Sequence, residues 1–272
     1  MKPSNVPIRK LVLSGGGSNG LAMLGLLHKL EEHHKLDHID SISGVSIGSY
    51  IALFKAIGLS SEEMFEMCKC EPLLSQKTWK LDNLFKYNGI DDASLLQDKM
   101  SKHLDTFMKN PDPTFQELFE QTKINLIVTG TNISKKKYEF FSHEHTPDMS
   151  VRMAIKISMC VPLYFTKIKY NGDYYIDGCF CNDEPCQPFE NCDNEEVLTI
   201  CLNSKNYDSS DVDSFVSYIG MIVDTVRDRL KIENHFQRIL INVEKPMLTV
   251  DYTPEFAQEL FDIGYSSLDI VQ

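Results

Sequence analysis

The chain has 272 residues, enough to bury a full core as one large domain or two small ones. Its 27 Lys and Arg against 39 Asp and Glu leave a formal charge of −12, which argues against a general nucleic-acid binder, because such proteins neutralise phosphates with basic surface. The same balance disfavours a strong nonspecific pull toward anionic membrane, while leaving room for a local basic patch.

The opening MKPSNVPIRKLVLSGGG carries only Leu11, Val12 and Leu13 before its glycines, too short a run for the core of a secretory signal. No stretch of about 18 apolar residues occurs, so no transmembrane helix is predicted. The eight cysteines then read as reduced thiols, and the expectation is a cytoplasmic chain.

In chain order, Ile8 to Leu13 reads as a buried strand and Leu21 to Leu30 as a helix, with Leu24, Leu27 and Leu30 at helical spacing. Ile39 to Ile42 is a second short strand, and Ile51, Phe54 and Ile57 keep a helical period until Gly58. Ser60 and Glu63 fit a capping box for a helix through Met67. Strands are predicted at 124–129, 138–141, 196–202 and 239–243, and helices near 91–108, 149–159, 211–232 and 254–263. This alternation predicts one layered α/β domain over 1–272, with residues 70–122 an insertion or lid.

Two glycine motifs follow the first two strands. Gly15, Gly17 and Gly20 satisfy GxGxxG, so the first loop could cradle a dinucleotide phosphate or an oxyanion. The cofactor reading needs an acidic residue closing a second strand about 20 residues on. Asp40 has that spacing, but HHKLDHID is a poor buried strand. Gly44-Val45-Ser46-Ile47-Gly48 is GxSxG between a predicted strand and a predicted helix, the setting of a nucleophile elbow: the flanking glycines remove the Cβ atoms that would clash where the chain doubles back. No cofactor is therefore expected.

Gly15-Gly16-Gly17-Ser18-Asn19-Gly20, then Gly44-Val45-Ser46-Ile47-Gly48, then Asp177-Gly178 resemble the ordered GGGx(R/K)G, GxSxG and DG(G/A) motifs of the patatin-like phospholipases. Arg152, Ser158, Pro162, Asn182 and Pro185 extend the resemblance, which spans roughly residues 8–190. It implies a three-layer α/β/α fold around a mostly parallel sheet. It also implies a phospholipase A or lysophospholipase-like acyl hydrolase with a Ser46–Asp177 dyad, and backbone amides of Gly15, Gly16 and Gly17 as the oxyanion hole. Gly20, Gly44, Gly48 and Gly178 would support the motifs. The expected partners are a phospholipid or other acyl ester and a transiently touched membrane surface, with no nucleic acid; the resemblance leaves room for an activating protein, which no residue here identifies.

Asn19 and Cys179 depart from the pattern, which has a cation and a small residue there. They keep open a catalytically silent lipid-binding module, and the order Ser46, Asp177, His235 also fits an ordinary hydrolase triad. Cys179, Cys181, Cys186 and Cys192 lack the paired CxxC knuckles of structural zinc, and His34 and His38 fall near a helix end, so no metal is expected. TWKLDNLFKY interleaves aromatic residues with lysines: it fits a segment capping the core, or a lid in which Trp79 and Phe85 face lipid. Lys135-Lys136-Lys137 reads as a solvated hairpin turn.

Overall fold

The computed structural model describes residues 6–204, 214–230 and 234–267. The chain opens with β1 (Lys10–Leu13), α1 (Gly20–Glu32), β2 (Ser41–Gly44), α2 (Ile47–Ala56) and α3 (Ser61–Cys70). Alternation along β1 sends Leu11 and Leu13 into the main core and Val12 into a smaller cluster with Ile127, Phe189 and Phe236, so both faces of this strand are covered. Helix α1 is apolar nearly all round and correspondingly buried, because α3 and a later helix, α9 (Pro254–Ser266), pack on it. Ser60 and Glu63 form the expected capping box.

The stretch 70–122 holds α4 (Leu81–Tyr87), β3 (Gly89–Asp91), α5 (Ser94–Met108) and α6 (Phe115–Thr122). Helix α5 turns Leu96, Met100, Leu104 and Met108 inward, whereas α4 buries none of its residues. Beyond it come β4 (Asn125–Asn132), β5 (Lys137–Phe141), α7 (Val151–Ser158), β6 (Leu163–Phe165), β7 (Ile168–Tyr170), β8 (Asp173–Asp177), β9 (Val197–Ser204), α8 (Phe215–Arg229) and β10 (Gln237–Val243), then α9. The predicted helix near 211–232 is α8 in its described part; residues 211–213, 231 and 232 lie outside the described residues.

The sheet runs β10-β9-β1-β2-β4-β8-β7, with β5 on β4. Pairs from β10 through β4 are parallel, and β5, β8 and β7 add antiparallel pairs. Helices flank this mixed, mostly parallel sheet in a three-layer α/β/α arrangement. The expected lysine turn joins β4 to β5, with Lys136 at φ 54°. Strands β6 and β7 have no counterpart in the predicted elements: each is three residues long, too short for a periodic signal. Among the described residues no helix is long and apolar enough to cross a membrane.

Candidate active site

β1 and β2 are parallel neighbours in register from Lys10↔Ser41 to Leu13↔Gly44, so the loops leaving them emerge side by side. The second loop is a sharp elbow. Ser46 holds φ 52° and ψ −126°, sparsely populated backbone for a residue with a Cβ, directly before α2. Two close approaches allow it. A Cβ on Gly44 would come within 2.5 Å of the Gly48 carbonyl oxygen, and one on Gly48 within 2.4 Å of the Leu13 carbonyl oxygen. The Ser46 N–H donates to Ser158 Oγ at 2.9 Å, so the last residue of α7 ties down the strained peptide.

Strand β8 runs antiparallel to β4 and ends at Asp177, opposite Gly130. There Ser46 Oγ donates to Asp177 Oδ2 at 2.7 Å. Both are buried, with Ser46 7% and Asp177 1% exposed. Burial pushes the Asp177 carboxyl up to about 6, against the opposing pull of the Cys179 N–H, 2.9 Å from Oδ1, and of the Ser46 hydroxyl. Gly178 lets the chain turn away beneath Val45 and Thr129, whose atoms would lie within 3 Å of any Cβ there.

The glycine loop lies against this pair: a Cβ on Gly15 would sit 3.3 Å from Ser46 Cβ and 2.3 Å from Cys179 Sγ. The Gly15 N–H, expected to be an oxyanion donor, donates to Asp183 Oδ1 at 3.2 Å, because that carboxylate is folded back beneath the loop. The amides of Gly16, at φ 155°, and Gly17, at φ 55°, have no acceptor among the described residues. Gly20 starts α1 against Ile47.

Ser46 and Gly17 open onto a cleft whose wall is almost wholly apolar, with Leu21, Tyr50, Ile51, Met64, Leu73 and Phe165 among its lining. Trp79 and Phe85 part company. Trp79 packs on the core and donates its Nε1–H to Tyr164 OH at 3.4 Å, whereas Phe85 is 86% exposed on α4 beside Leu81 at 72%.

The geometry also separates the competing site readings. Asp40 precedes β2 rather than closing it, at the strand end away from the glycine loop, and its carboxylate is held by Arg9 at 2.6 Å and Lys10 at 2.5 Å. That is no place for a ribose ligand. His235 precedes β10, which is parallel to β9, β9 to β1 and β1 to β2, so it lies toward the sheet end opposite Ser46. His34 follows the end of α1 at φ 53° and binds Asp37, so it shares no helical face with His38. Among the described residues no group of three or more His, Cys, Asp or Glu is placed to hold a metal ion.

Residues 11–189 match the family of patatin-like phospholipases. The chain belongs to that family. A probable lipid hydrolase, 463L of Invertebrate iridescent virus 6, is 37% identical over 183 residues, covering 65% of this chain and 61% of that protein. The uncharacterised protein R571 of Acanthamoeba polyphaga mimivirus is 26% identical over 98% of this chain and 94% of its own length. The chain thus spans about six-tenths of the first relative and nearly all of the second. Among solved structures, VipD from Legionella pneumophila superposes with a TM-score of 0.63 at 20% identity, over 98% of this chain and 67% of VipD. The type III effector ExoU does so with 0.53 at 18% identity, over 97% and 52%. Both likenesses are of fold.

Three residues around this patatin-like site carry no role in the motif reading: Ser158, Asp183 and Arg227. Ser158 stands in the segment that carries the resemblance, but a serine on a helix gives no sign that it will accept a peptide N–H 112 positions earlier. Asp183 follows Asn182 in a turn. Arg227 lies beyond the segment that matches the family.

Proposed function

We propose that this chain is a serine-dependent lipid acyl hydrolase of the phospholipase A or lysophospholipase type. The observation that carries the reading is the buried 2.7 Å hydrogen bond from Ser46 Oγ to Asp177 Oδ2 at the head of an apolar cleft. Ser46 Oγ attacks the ester carbonyl as its proton passes to Asp177, and the tetrahedral oxyanion is met by the Gly16 and Gly17 amides, each well-aimed donor contributing on the order of 3 kcal/mol. Collapse returns the proton from Asp177 to the leaving alcohol. A water then gives its proton to Asp177 and its oxygen to the acyl carbon, and the proton goes back to Ser46 Oγ as the fatty acid leaves. A carboxyl raised to about 6 is a better base than an ordinary aspartate and is still ionised at neutral pH.

The cleft favours a long acyl chain, since its lining offers apolar contact and few hydrogen-bond partners. Substrate of this kind resides in membranes. Leu81, Phe85 and Tyr87 project from α4 at 72%, 86% and 52% exposure beside the exposed Lys77 and Lys86, a composition suited to shallow insertion among anionic headgroups. The test is fatty-acid release from mixed phospholipid vesicles by wild type, Ser46→Ala and Asp177→Asn, each confirmed folded by circular dichroism. Release by wild type that is lost in both variants is the expected result; equal release by Ser46→Ala overturns the reading.

A further inference from the structure

Arg227 is 4% exposed, an uncommon fate for an arginine, and its guanidinium is fully engaged. Nε and Nη2 donate to Asp183 Oδ1 at 2.9 Å and Oδ2 at 2.6 Å, a two-point fork. Nη2 also donates to the Gly15 carbonyl at 3.0 Å and the Leu202 carbonyl at 3.3 Å, and Nη1 to Asp224 Oδ1 at 2.9 Å. Asp183 in turn accepts the Gly15 N–H at 3.2 Å and the Cys179 thiol at 3.2 Å. The Cys179 amide donates to Asp177. Two polar groups of Gly15, one on each side of its Cα, thus end on a single ion pair, and that pair reaches Asp177 through Cys179.

We propose that Arg227 is the positioning residue that sets the oxyanion-binding amides against Ser46, supplied by α8 from outside the segment that matches the family. The inference rests on the hydrolase reading above. Its physical core is peptide planarity: the Gly15 carbonyl and the Gly16 N–H belong to one trans unit and point in opposite directions, so a guanidinium that holds the carbonyl fixes where the amide aims. Glycine on both sides of that unit leaves its torsions free, and without an external grip the amide would sample many directions. Position 19 offers no cation for this work, since Asn19 spends its Nδ2 on the Lys245 carbonyl at 3.2 Å. The geometry also gives Cys179 a task, because its thiol and amide join Asp183 to Asp177 where a glycine could use only the amide.

A buried ion pair broken on one side leaves the other charge stranded, so truncating Arg227 alone would confuse misfolding with misalignment. Two variants avoid this. Arg227→Lys keeps the charge but loses the fork, and the double variant Arg227→Met with Asp183→Asn removes both charges of the pair with little change of volume. With p-nitrophenyl butyrate as a soluble ester, kcat should fall about a hundredfold in both while KM stays within about threefold, the signature of a contact made in the transition state. Hydrogen exchange of the peptide spanning residues 11–21 should speed up in both, whether or not the protein hydrolyses esters. If wild type shows no Ser46-dependent hydrolysis, the hydrolase reading fails, and unchanged exchange then also sinks the positioning role. With an active wild type, undiminished kcat in either folded variant overturns the proposal. Loss of folding in both variants overturns it in favour of a purely structural role.

Discussion

Ser158 Oγ lies 2.9 Å from the backbone nitrogen of Ser46 and accepts its N–H, so the hydroxyl at the end of α7 holds the elbow by its main chain while Asp177 holds it by its side chain. Removing that acceptor strands a buried donor at a peptide already in strained backbone, a cost on the order of 1–3 kcal/mol. Ser158→Ala should therefore lower the melting temperature and reduce kcat on a soluble ester. Ser158→Thr, which keeps an acceptor, should retain more activity than alanine. Equal kcat for wild type and Ser158→Ala would show that the elbow needs no such tether.

The raised carboxyl of Asp177 sets two pH effects of opposite sense. As a base it must be ionised, so kcat/KM should climb as pH rises through about 6 and level off above, which a pH–rate profile on a soluble ester reads directly. For stability, an aspartate with a raised folded-state pKa contributes fully only below its unfolded value near 4, and the contribution is lost as pH rises through about 6. Asp177→Asn should thus gain stability over wild type between pH 4 and pH 8, by on the order of 3 kcal/mol, while losing activity. A constant stability difference across that range would contradict the burial argument.

Glycine substitutions should sort by what a Cβ meets. Gly48→Ala drives a methyl into the Leu13 and Ser14 carbonyl oxygens, 2.4 and 2.5 Å away, and should abolish folding or activity. Gly220→Ala, inside α8 with Leu248 Cβ at 3.4 Å, should stabilise by about 0.5–1 kcal/mol through helix propensity and a less flexible unfolded chain. Thermal melts of the two variants check both signs.

The exposed apolar residues of α4 predict a difference between interfacial and soluble substrates. Leu81→Ser with Phe85→Ser should weaken sedimentation with anionic phospholipid vesicles at least tenfold, because each side chain loses an apolar insertion, on the order of 1.5–3 kcal/mol when complete. Hydrolysis of p-nitrophenyl butyrate should be unaffected, since Leu81 and Phe85 are exposed and neither lines the cleft. Unchanged vesicle binding would place the membrane contact elsewhere.

The parts of the molecule legible in the sequence are those governed by neighbours in the chain. Strand–loop–helix order, the Ser60 capping box and the lysine turn are local, and buried strands such as β1 and β4 announce themselves by unbroken apolar runs. Ser46 and Asp177 were legible because fixed glycines frame them. What stayed hidden is cross-chain: Asp183 accepting the Gly15 amide, and Arg227 reaching back to the first loop. An exposed turn and a buried junction can share the same letters, and Trp79 and Phe85 show this within one segment, one packed inward and the other in water.

The contacts that bring the site together join residues 131, 168 and 212 positions apart, Ser46 to Asp177, Gly15 to Asp183 and Gly15 to Arg227. Closures of that span carry the largest entropic cost and come late in folding. During synthesis the serine therefore emerges long before the groups that would arm it, and a partly made chain carries an inert elbow. Hydrolysis of the proposed kind would reach its full rate only after α8 docks and Arg227 grips the first loop.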